Sequence, residues 1–267
     1  MREAAPWVER LARAGFAAKG LVYLIIGALA LQAALGTGGE TTDSSGALRS
    51  VLQQPYGWVL LALIAIGLAG YAMWRFVEGG MDPQGLGAHG NALVKRAGYA
   101  ISGVIHAALA LEAVRLAFGF ISGGSGDSGA QDWTARVLAQ PLGRWIIAAV
   151  GLAIIGFGLV ELFRAYRTDL PKRLDLGRLS PLAKVWVVRF GRMGMAARGI
   201  VFGVVGIFLV RAALSYDPSE ARGIGGALAS LHGQPYGPWL LGLVAIGLIA
   251  YGLFEGVQAR YRRIDVA

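Results

Sequence analysis

Six long apolar stretches dominate the sequence of this 267-residue chain. A helix needs about 20 consecutive apolar residues to cross the hydrocarbon core of a bilayer, and each stretch is close to that length. They cover residues 15–35, 58–77, 98–120, 145–163, 193–214 and 239–257. None shows the strict alternation of polar and apolar residues that is typical of a barrel strand. The sequence therefore predicts an all-α, polytopic membrane protein with six transmembrane helices.

Composition favours lipid rather than water as the surrounding solvent. Apolar residues make up 55% of the chain and charged residues 15%, with a mean hydropathy of +0.55, whereas soluble domains carry about 25% charged residues. The chain has no cysteine, and its three histidines, His89, His106 and His232, are far apart in sequence. We therefore expect no disulfide, no metal centre and no cofactor.

The same two-helix unit occurs three times along the chain. The run RAGFAAKGLVY at 13–23 reappears as RAGYAISGVIH at 96–106 and as RMGMAARGIVF at 192–202, each time opening an odd-numbered stretch. A Gln-Pro-x-Gly turn precedes each even-numbered stretch, at 54–57, 140–143 and 234–237. Proline and glycine there end the loop and start the next helix.

These units predict a specific architecture, with boundaries at residues 1–82, 90–169 and 183–263. Each unit holds an even number of spans, so all three enter the membrane from the same side and are parallel repeats. A pseudo-threefold arrangement of three tandem helical hairpins is the simplest solution, and a linear array is the alternative. Semi-apolar runs before the turns, at 47–52, 133–138 and 227–232, predict short interfacial helices.

Basic residues are distributed unevenly between the two sides of the predicted bundle. Of the 25 Lys and Arg residues, 19 lie at the termini, in the second and fourth loops and at the adjoining helix ends. The positive-inside rule then predicts cytoplasmic N- and C-termini, in the plasma membrane of a bacterium. Because this distribution also accounts for the net charge of +9, we expect no nucleic-acid partner. We expect the first stretch to be retained, since its copies recur where no signal peptide could be cleaved.

The repeated pattern resembles a known bacterial group. It consists of Arg-x-Gly-aromatic-Ala, Gly-aliphatic-aliphatic-aromatic, Gln-Pro-Tyr-Gly and a Gly/Ala-rich helix that ends in Tyr-Ala-Met-Trp-Arg at 71–75. This pattern is similar to that of the membrane proteins catalogued as domain-of-unknown-function family 1206, over nearly the whole chain. The second copy departs most, at Ser102, Leu142 and Phe157, where the first copy has a lysine and two tyrosines. The resemblance implies a fold and a membrane location, but no activity and no catalytic residue.

Small residues recur seven positions apart on the first helix of each unit, and therefore lie on nearly the same helix face. The pairs are Gly20 and Gly27, Gly103 and Ala110, and Gly199 and Gly206. Helices in lipid associate largely through such small-residue contacts. We favour helix packing as their role over the lining of a substrate path.

Six ionisable residues lie within the predicted spans at one depth, near the cytoplasmic ends of the helices. They are Lys19, Arg75, Glu78, Glu161, Arg198 and Glu255. Because charges within a bilayer are costly, such residues are candidates for function. We hypothesise an inner charge ring in which Arg198 pairs with Glu255 and Lys19 with Glu78. The alternative is that these side chains snorkel to the interface and anchor the helices.

A second polar group lies toward the outer ends of the first helices. Gln32, Arg115 and Arg211 share one repeat position there, and would form an anion-selective mouth or snorkel to the outer headgroups. Glu112 lies one turn deeper at a spacing that allows pairing with Arg115, and is our first choice for proton or ion chemistry. His106 lies near mid-depth, where we expect a packed, neutral imidazole and keep a proton relay as the alternative.

No enzyme motif stands out in the sequence. It contains no Gly-x-Ser-x-Gly elbow, no His-Glu-x-x-His and no Walker loop, so we expect no enzyme. The preferred hypothesis is a non-enzymatic membrane module that binds partner membrane proteins or lipids. The alternative is a small channel or carrier for an ion, proton or small anion along the axis between the hairpins. The basic fourth loop, residues 164–192, either orients the protein or binds anionic lipids at the cytoplasmic face.

Overall fold

The computed structural model describes residues 2–3, 6–82, 85, 87, 89–120, 126–167, 174–177, 179–262 and 265–266. Six helices in this part of the chain are long and apolar enough to cross a membrane. They are α1 (Pro6–Leu35), α3 (Gly57–Gly80), α4 (Gly90–Ala117), α6 (Gly143–Arg167), α7 (Pro181–Ser215) and α9 (Gly237–Tyr261). The prediction of six helices is confirmed, and α7 begins 12 residues before the apolar stretch that predicted it.

Shorter elements connect and close the long helices. The connecting helices are α2 (Ser44–Leu52), α5 (Asp127–Leu138) and α8 (Ile224–His232), and a 3-10 turn covers Pro218–Glu220. Near the chain ends, β1 (Arg2–Glu3) pairs antiparallel with β2 (Asp265–Val266). We call the side on which the chain begins and ends the terminal side, and the side that carries the three connecting helices the turn side.

A tight left-handed turn starts the second helix of every repeat. Tyr56, Leu142 and Tyr236 have positive φ angles of 59°, 66° and 63° at the residue before the helix, a conformation that is uncommon for side-chain-bearing residues. The glycine that follows leaves no room for a side chain, because a methyl group at Gly57 would collide with the carbonyl oxygens of Val51 and Leu52. The repeated Gln-Pro-x-Gly motif therefore encodes a compact reversal between connecting helix and long helix.

The six long helices pack as an open arc in the order α4, α3, α1, α9, α7, α6. The most extensive contacts join different repeats: α1 with α9, α4 with α3, and α7 with α6. Within a repeat, α1 packs on α3 and α7 on α9, but no comparable interface joins α4 to α6 in the described residues. The three inter-repeat contacts are alike, whereas the hairpin of the second repeat is open, and the pseudo-threefold arrangement stays a prediction.

Small residues form the inter-repeat contacts, as the packing interpretation predicts. A methyl group at Gly20 of α1 would lie 2.8 Å from the carbonyl oxygen of Gly252 on α9, and one at Gly199 of α7 would lie 2.8 Å from that of Gly158 on α6. These backbones are therefore in direct contact, which suits helices that associate in lipid. In the third interface, Gly103 of α4 lies against the ring of Phe76.

In the first and second repeats, the repeat arginine of the first helix connects neighbouring repeats on the terminal side. Arg13 donates hydrogen bonds to the carbonyl oxygens of Ala259 and Arg260, at 2.9 and 2.6 Å. Arg96, at the same repeat position, donates to the carbonyl oxygens of Gly79 and Gly80 at 2.9 and 2.7 Å. Each arginine thus satisfies the last carbonyls of another repeat's helix and complements the negative end of its dipole.

The connecting helices meet on the turn side through a shared cap. Asp43 caps its own helix α2 by accepting a hydrogen bond from the Gly46 amide at 3.0 Å. Helix α8 has Gly223 at the same repeat position and so lacks this side chain. Asp127 of the second repeat supplies the missing acceptor to the amide of Gly223, at 2.7 Å. One repeat therefore caps a helix of another and holds the turn-side ends together.

Candidate functional site

Three ion pairs lie inside the bundle, within two turns of the terminal ends of α3, α6 and α9. Lys19 pairs with Glu255 at 2.9 Å, Arg75 with Glu78 at 2.7 Å, and Arg198 with Glu161 at 3.5 Å. Each of the three carboxylates is at most 4% exposed. The structure thus brings together all six residues of the charge ring that the sequence predicts. It also adds Arg164 and Arg262, which pair with Glu161 and Glu78.

The pairing within this ring differs from our hypothesis. We expected Lys19 to pair with Glu78 and Arg198 with Glu255, within hairpins, and this pairing is wrong: Lys19 pairs with Glu255 and Arg198 with Glu161. Both observed pairs join different repeats. The physical reason is that a first helix packs most closely against the second helix of another repeat, as α1 does against α9.

Two tyrosines complete the charge network. The Lys19 ammonium donates to the hydroxyl oxygens of Tyr71 and Tyr251, at 3.1 and 2.8 Å. The Arg198 guanidinium donates to the Tyr251 hydroxyl at 2.7 Å, and Arg75 donates to Tyr71 at 2.8 Å. Sequence reasoning missed both tyrosines. The repeat alignment could have identified them, because each tyrosine lies four residues before a member of the predicted charge ring and therefore on the same helix face.

A layer of six rings lies next to the ion pairs, one helical turn toward the turn side. Each inter-repeat interface contributes one pair of rings, with centroid separations between 4.5 and 5.2 Å. The pairs are Tyr23 with Tyr251, His106 with Tyr71, and Phe202 with Phe157. Because all three interfaces use the same two repeat positions, this layer repeats the symmetry of the helix contacts.

His106 is a packed member of the ring layer. Its Nδ1 lies 2.8 Å from the Ser102 carbonyl oxygen, and since a carbonyl can only accept, Nδ1 donates. Its ring lies against Tyr71. This geometry is that of the packed imidazole with a backbone partner that we expected.

The charge network is buried and densely hydrogen-bonded. Lys19 is 5% exposed, and its ammonium is fully used by one carboxylate and two hydroxyls. Two buried polar atoms, Nε of Arg198 and Oε2 of Glu255, have no hydrogen-bond partner. Among the described residues, no group of three His, Cys, Asp or Glu side chains is arranged to hold a metal ion. What the arrangement does chemically is hold three repeats together by charge inside an apolar bundle.

Glu112 lies apart from this network and does not pair with Arg115. Its Oε2 accepts a hydrogen bond from the Ser45 hydroxyl of α2 at 2.7 Å, and its Oε1 is buried without a partner. Arg115 is exposed near the end of α4. The expected i, i+3 pair is therefore replaced by a contact between α4 and a connecting helix, because α2 lies closer to the carboxylate.

The outer polar residues do not contact one another. Gln32, Arg115 and Arg211 are each exposed, and Arg211 pairs locally with Glu220 at 3.0 Å. The role of these residues in an anion-selective mouth stays a prediction. Part of the basic fourth loop, residues 168–173 and 178, lies outside the described residues.

The open hairpin leaves two small-residue surfaces uncovered. In the first and third repeats, methyl groups at Gly15 and Gly194 would each lie 2.5 Å from an atom of Tyr71 or Tyr251 on the second helix. The equivalent residue of the second repeat is Gly98, and no atom of the described residues lies within 4 Å of the corresponding position. Gly156, on the facing side of α6, is likewise uncovered.

Three substitutions between repeats explain why this hairpin stays open. Where the other repeats place small residues at the helix contact, the second has larger ones: Lys95 for Ala12 and Gly191, Ile101 for Ala18 and Ala197, and Ala153 for Gly67 and Gly247. A methyl group at Gly67 would lie 2.5 Å from the Ala18 Cβ, so this contact has no spare volume. An isoleucine facing an alanine cannot be accommodated at that spacing.

A space separates α4 from α6, which share no extensive contact in the described residues. We call it the repeat-2 cleft and define it by the residues whose repeat equivalents form the helix contact in the other two hairpins: Lys95, Gly98, Ile101, Ala153, Gly156 and Phe157. Ile101 is 61% exposed and Phe157 41% exposed. In the other two hairpins, the partner helix covers the equivalent positions. Among the described residues, α4 and α6 do not cover each other in this way.

Six apolar helices in three tandem repeats define a multi-pass membrane protein. The chain belongs to the family described as Domain of Unknown Function (DUF1206), whose profile matches residues 14–82, 97–168 and 193–262. A curated protein of Bacillus subtilis (strain 168), described as "Uncharacterized protein YxxB", is 36% identical over 263 residues, covering 98% of this chain and 94% of that relative. No solved structure matches the chain.

Proposed function

We propose that the protein is a non-enzymatic membrane module that holds a bilayer component, a lipid or a partner helix, in the repeat-2 cleft. The observation that carries this proposal is the uncovered glycine surface at Gly98 and Gly156. The same surface is filled by a helix in both other repeats. Small-residue surfaces let another molecule approach the backbone closely, so an occupant would gain contacts here that a flat helix face does not offer.

The interior of the bundle supports a binding module over a channel or carrier. A path along the axis between the hairpins would cross the depth of the ion pairs, where Lys19, Glu161 and Glu255 are buried and paired. Opening such a path would separate buried ion pairs, which costs several kcal/mol for each unpaired charge. A lipid or a partner helix could enter the repeat-2 cleft without separating these ion pairs.

We place the protein in a bacterial plasma membrane with both termini in the cytoplasm. The support is the excess of Lys and Arg on the terminal side. Reporter tags at Met1, Ala267 and the Pro55 turn test this orientation. We expect the two end tags to report the cytoplasm and the turn tag the opposite compartment, and the reverse pattern would contradict it.

Site-specific photocrosslinking tests the cleft as a binding site. A benzophenone amino acid in place of Phe157 samples the cleft, and one in place of Leu63, which is 61% exposed on α3, samples bulk lipid. Crosslinking is carried out in native membranes, and the adducts are identified by mass spectrometry. We expect one molecular species to be enriched among the adducts at residue 157 relative to those at residue 63. The same adduct mixture at both residues would contradict the proposal.

A closing variant provides the matched control. Lys95→Ala, Ile101→Ala and Ala153→Gly together give the second repeat the small residues found at these positions in the first and third repeats. We expect α4 and α6 then to pack on each other, and the enriched species to disappear from the residue 157 adducts. Enrichment that survived closure would mean that the occupant binds elsewhere.

A further inference from the structure

We propose that the occupant of the repeat-2 cleft is an anionic phospholipid of the terminal-side leaflet, bound with its phosphate at Lys95 and an acyl chain along α4 and α6. This inference rests on the proposed function, since it names the guest of the same cleft. It follows from the position of Lys95, from the charge of the neighbouring helix end and from the length of the apolar surface.

Lys95 is a cation at a position that the other repeats bury. Its equivalents are Ala12, which is 0% exposed and packs with Tyr71 and Trp74, and Gly191, which is also buried. In the open hairpin, Lys95 is exposed and makes no ion pair with any described residue. Within the described part of the chain, the ammonium at the terminal end of the cleft therefore has no ion-pair partner, and an anion is the ligand that complements it.

The terminal end of α6 adds positive charge near the same mouth. Arg164, which is partly exposed, pairs with Glu161, and that carboxylate is also bound by Arg198 of the deeper charge ring. Arg167, one turn further along, is exposed and has its guanidinium 5.8 Å from the Phe163 ring. A phosphate at this level would meet a local excess of cations, and anionic lipids are attracted to such juxtamembrane charge.

The apolar part of the cleft matches the length of one leaflet. From Lys95 to the exposed Ile105, α4 rises about 15 Å at 1.5 Å per residue. That is roughly half of the 30 Å hydrocarbon core, the distance an acyl chain reaches from its headgroup. Gly98 and Gly156 leave the backbone open along this path, so a chain could lie between the helices. An apolar partner helix would leave the ammonium of Lys95 without a ligand, whereas a lipid phosphate binds it.

Lipid retention by the purified protein tests the proposal. The full chain is exchanged into detergent, mixed with phosphatidylglycerol or with phosphatidylcholine of the same acyl chains, and examined by native mass spectrometry. We expect phosphatidylglycerol to be retained preferentially, at one molecule per chain. Lys95→Gln should weaken that retention roughly tenfold, the loss of about one charge-assisted hydrogen bond. Arg10→Gln removes an exposed cation of the terminal side that is remote from the cleft and should leave retention unchanged.

The outcomes separate this inference from the proposed function. Equal retention of the two lipids, or equal loss in Lys95→Gln and Arg10→Gln, would overturn the phospholipid proposal. The proposed function could still hold if the phospholipid proposal failed. It would hold if the closing variant abolished the photocrosslinked species and that species were a protein, because the cleft would then bind a partner helix. If closure changed neither lipid retention nor the adducts, both proposals would fail.

Discussion

At the scale of single residues, the most informative contact is the buried pair of Lys19 and Glu255. These side chains are 6% and 1% exposed, and they join the first and third repeats. A buried ion pair recovers its desolvation cost only through good geometry and further hydrogen bonds. Tyr71 and Tyr251 supply those bonds to the ammonium. The pair therefore specifies which helices meet more than it adds to net stability.

Substitution of this pair should be strongly non-additive. Glu255→Leu or Lys19→Met alone leaves one buried charge without a partner, which costs about 3–5 kcal/mol. The double variant Lys19→Met with Glu255→Leu should recover most of the loss, because both charges are gone. Thermal unfolding in detergent measures this. Glu9→Gln breaks an exposed pair with Arg13 and should cost less than about 1 kcal/mol. A double variant less stable than both single variants would contradict this account.

The residues of the charge ring were predictable from the sequence, but their partners were not. Hydropathy places Lys19, Glu161 and Glu255 at one depth, because position along a span gives depth directly. Pairing depends on which helices are neighbours, and helix neighbours follow from small-residue contacts such as Gly20 with Gly252. Those glycines are visible in the sequence, yet their partner helix is not. Glu112 shows the same limit, since its partner Ser45 lies on a connecting helix.

At the scale of elements, the connecting helices are coupled by the cap that Asp127 provides to α8. Gly223 and Gly226 donate to the same carboxylate oxygen, at 2.7 and 3.2 Å. A short helix of nine residues depends on such end contacts, because it is too short to be stable alone. The sequence predicted all three connecting helices, but not a cap that comes from another repeat.

Removal of this cap should destabilise the turn side selectively. Asp127→Ala deletes the acceptor for two amides and should cost about 1–2 kcal/mol, with faster hydrogen exchange at the start of α8. Asp127→Asn keeps an acceptor oxygen and should restore most of the protection. Asp132→Ala, an exposed acid on the same helix, serves as control. Unchanged exchange at Gly223 and Gly226 in Asp127→Ala would show that the cap is dispensable.

At the scale of the whole molecule, three repeats of one sequence give two closed hairpins and one open one. The sequence predicted the repeats and the six helices, because both follow from periodicity and length. It did not predict the opening, since a ring of equal hairpins is the simplest arrangement of equal units. The information lay in single differences between repeats, such as Ile101 where the others have alanine. Their effect becomes clear only once the tight contact of Ala18 with Gly67 is known.

Three spin-label distances in lipid nanodiscs test the open arc most directly. The chain has no cysteine, so labels can be placed on exposed, repeat-equivalent positions of the two helices of each hairpin. The pairs are Leu21 with Leu63, Val104 with Ala149, and Ile200 with Leu243. We predict that the first and third distances agree and that the second is clearly longer. Three equal distances would show a closed ring, and would remove the cleft on which the proposed function depends.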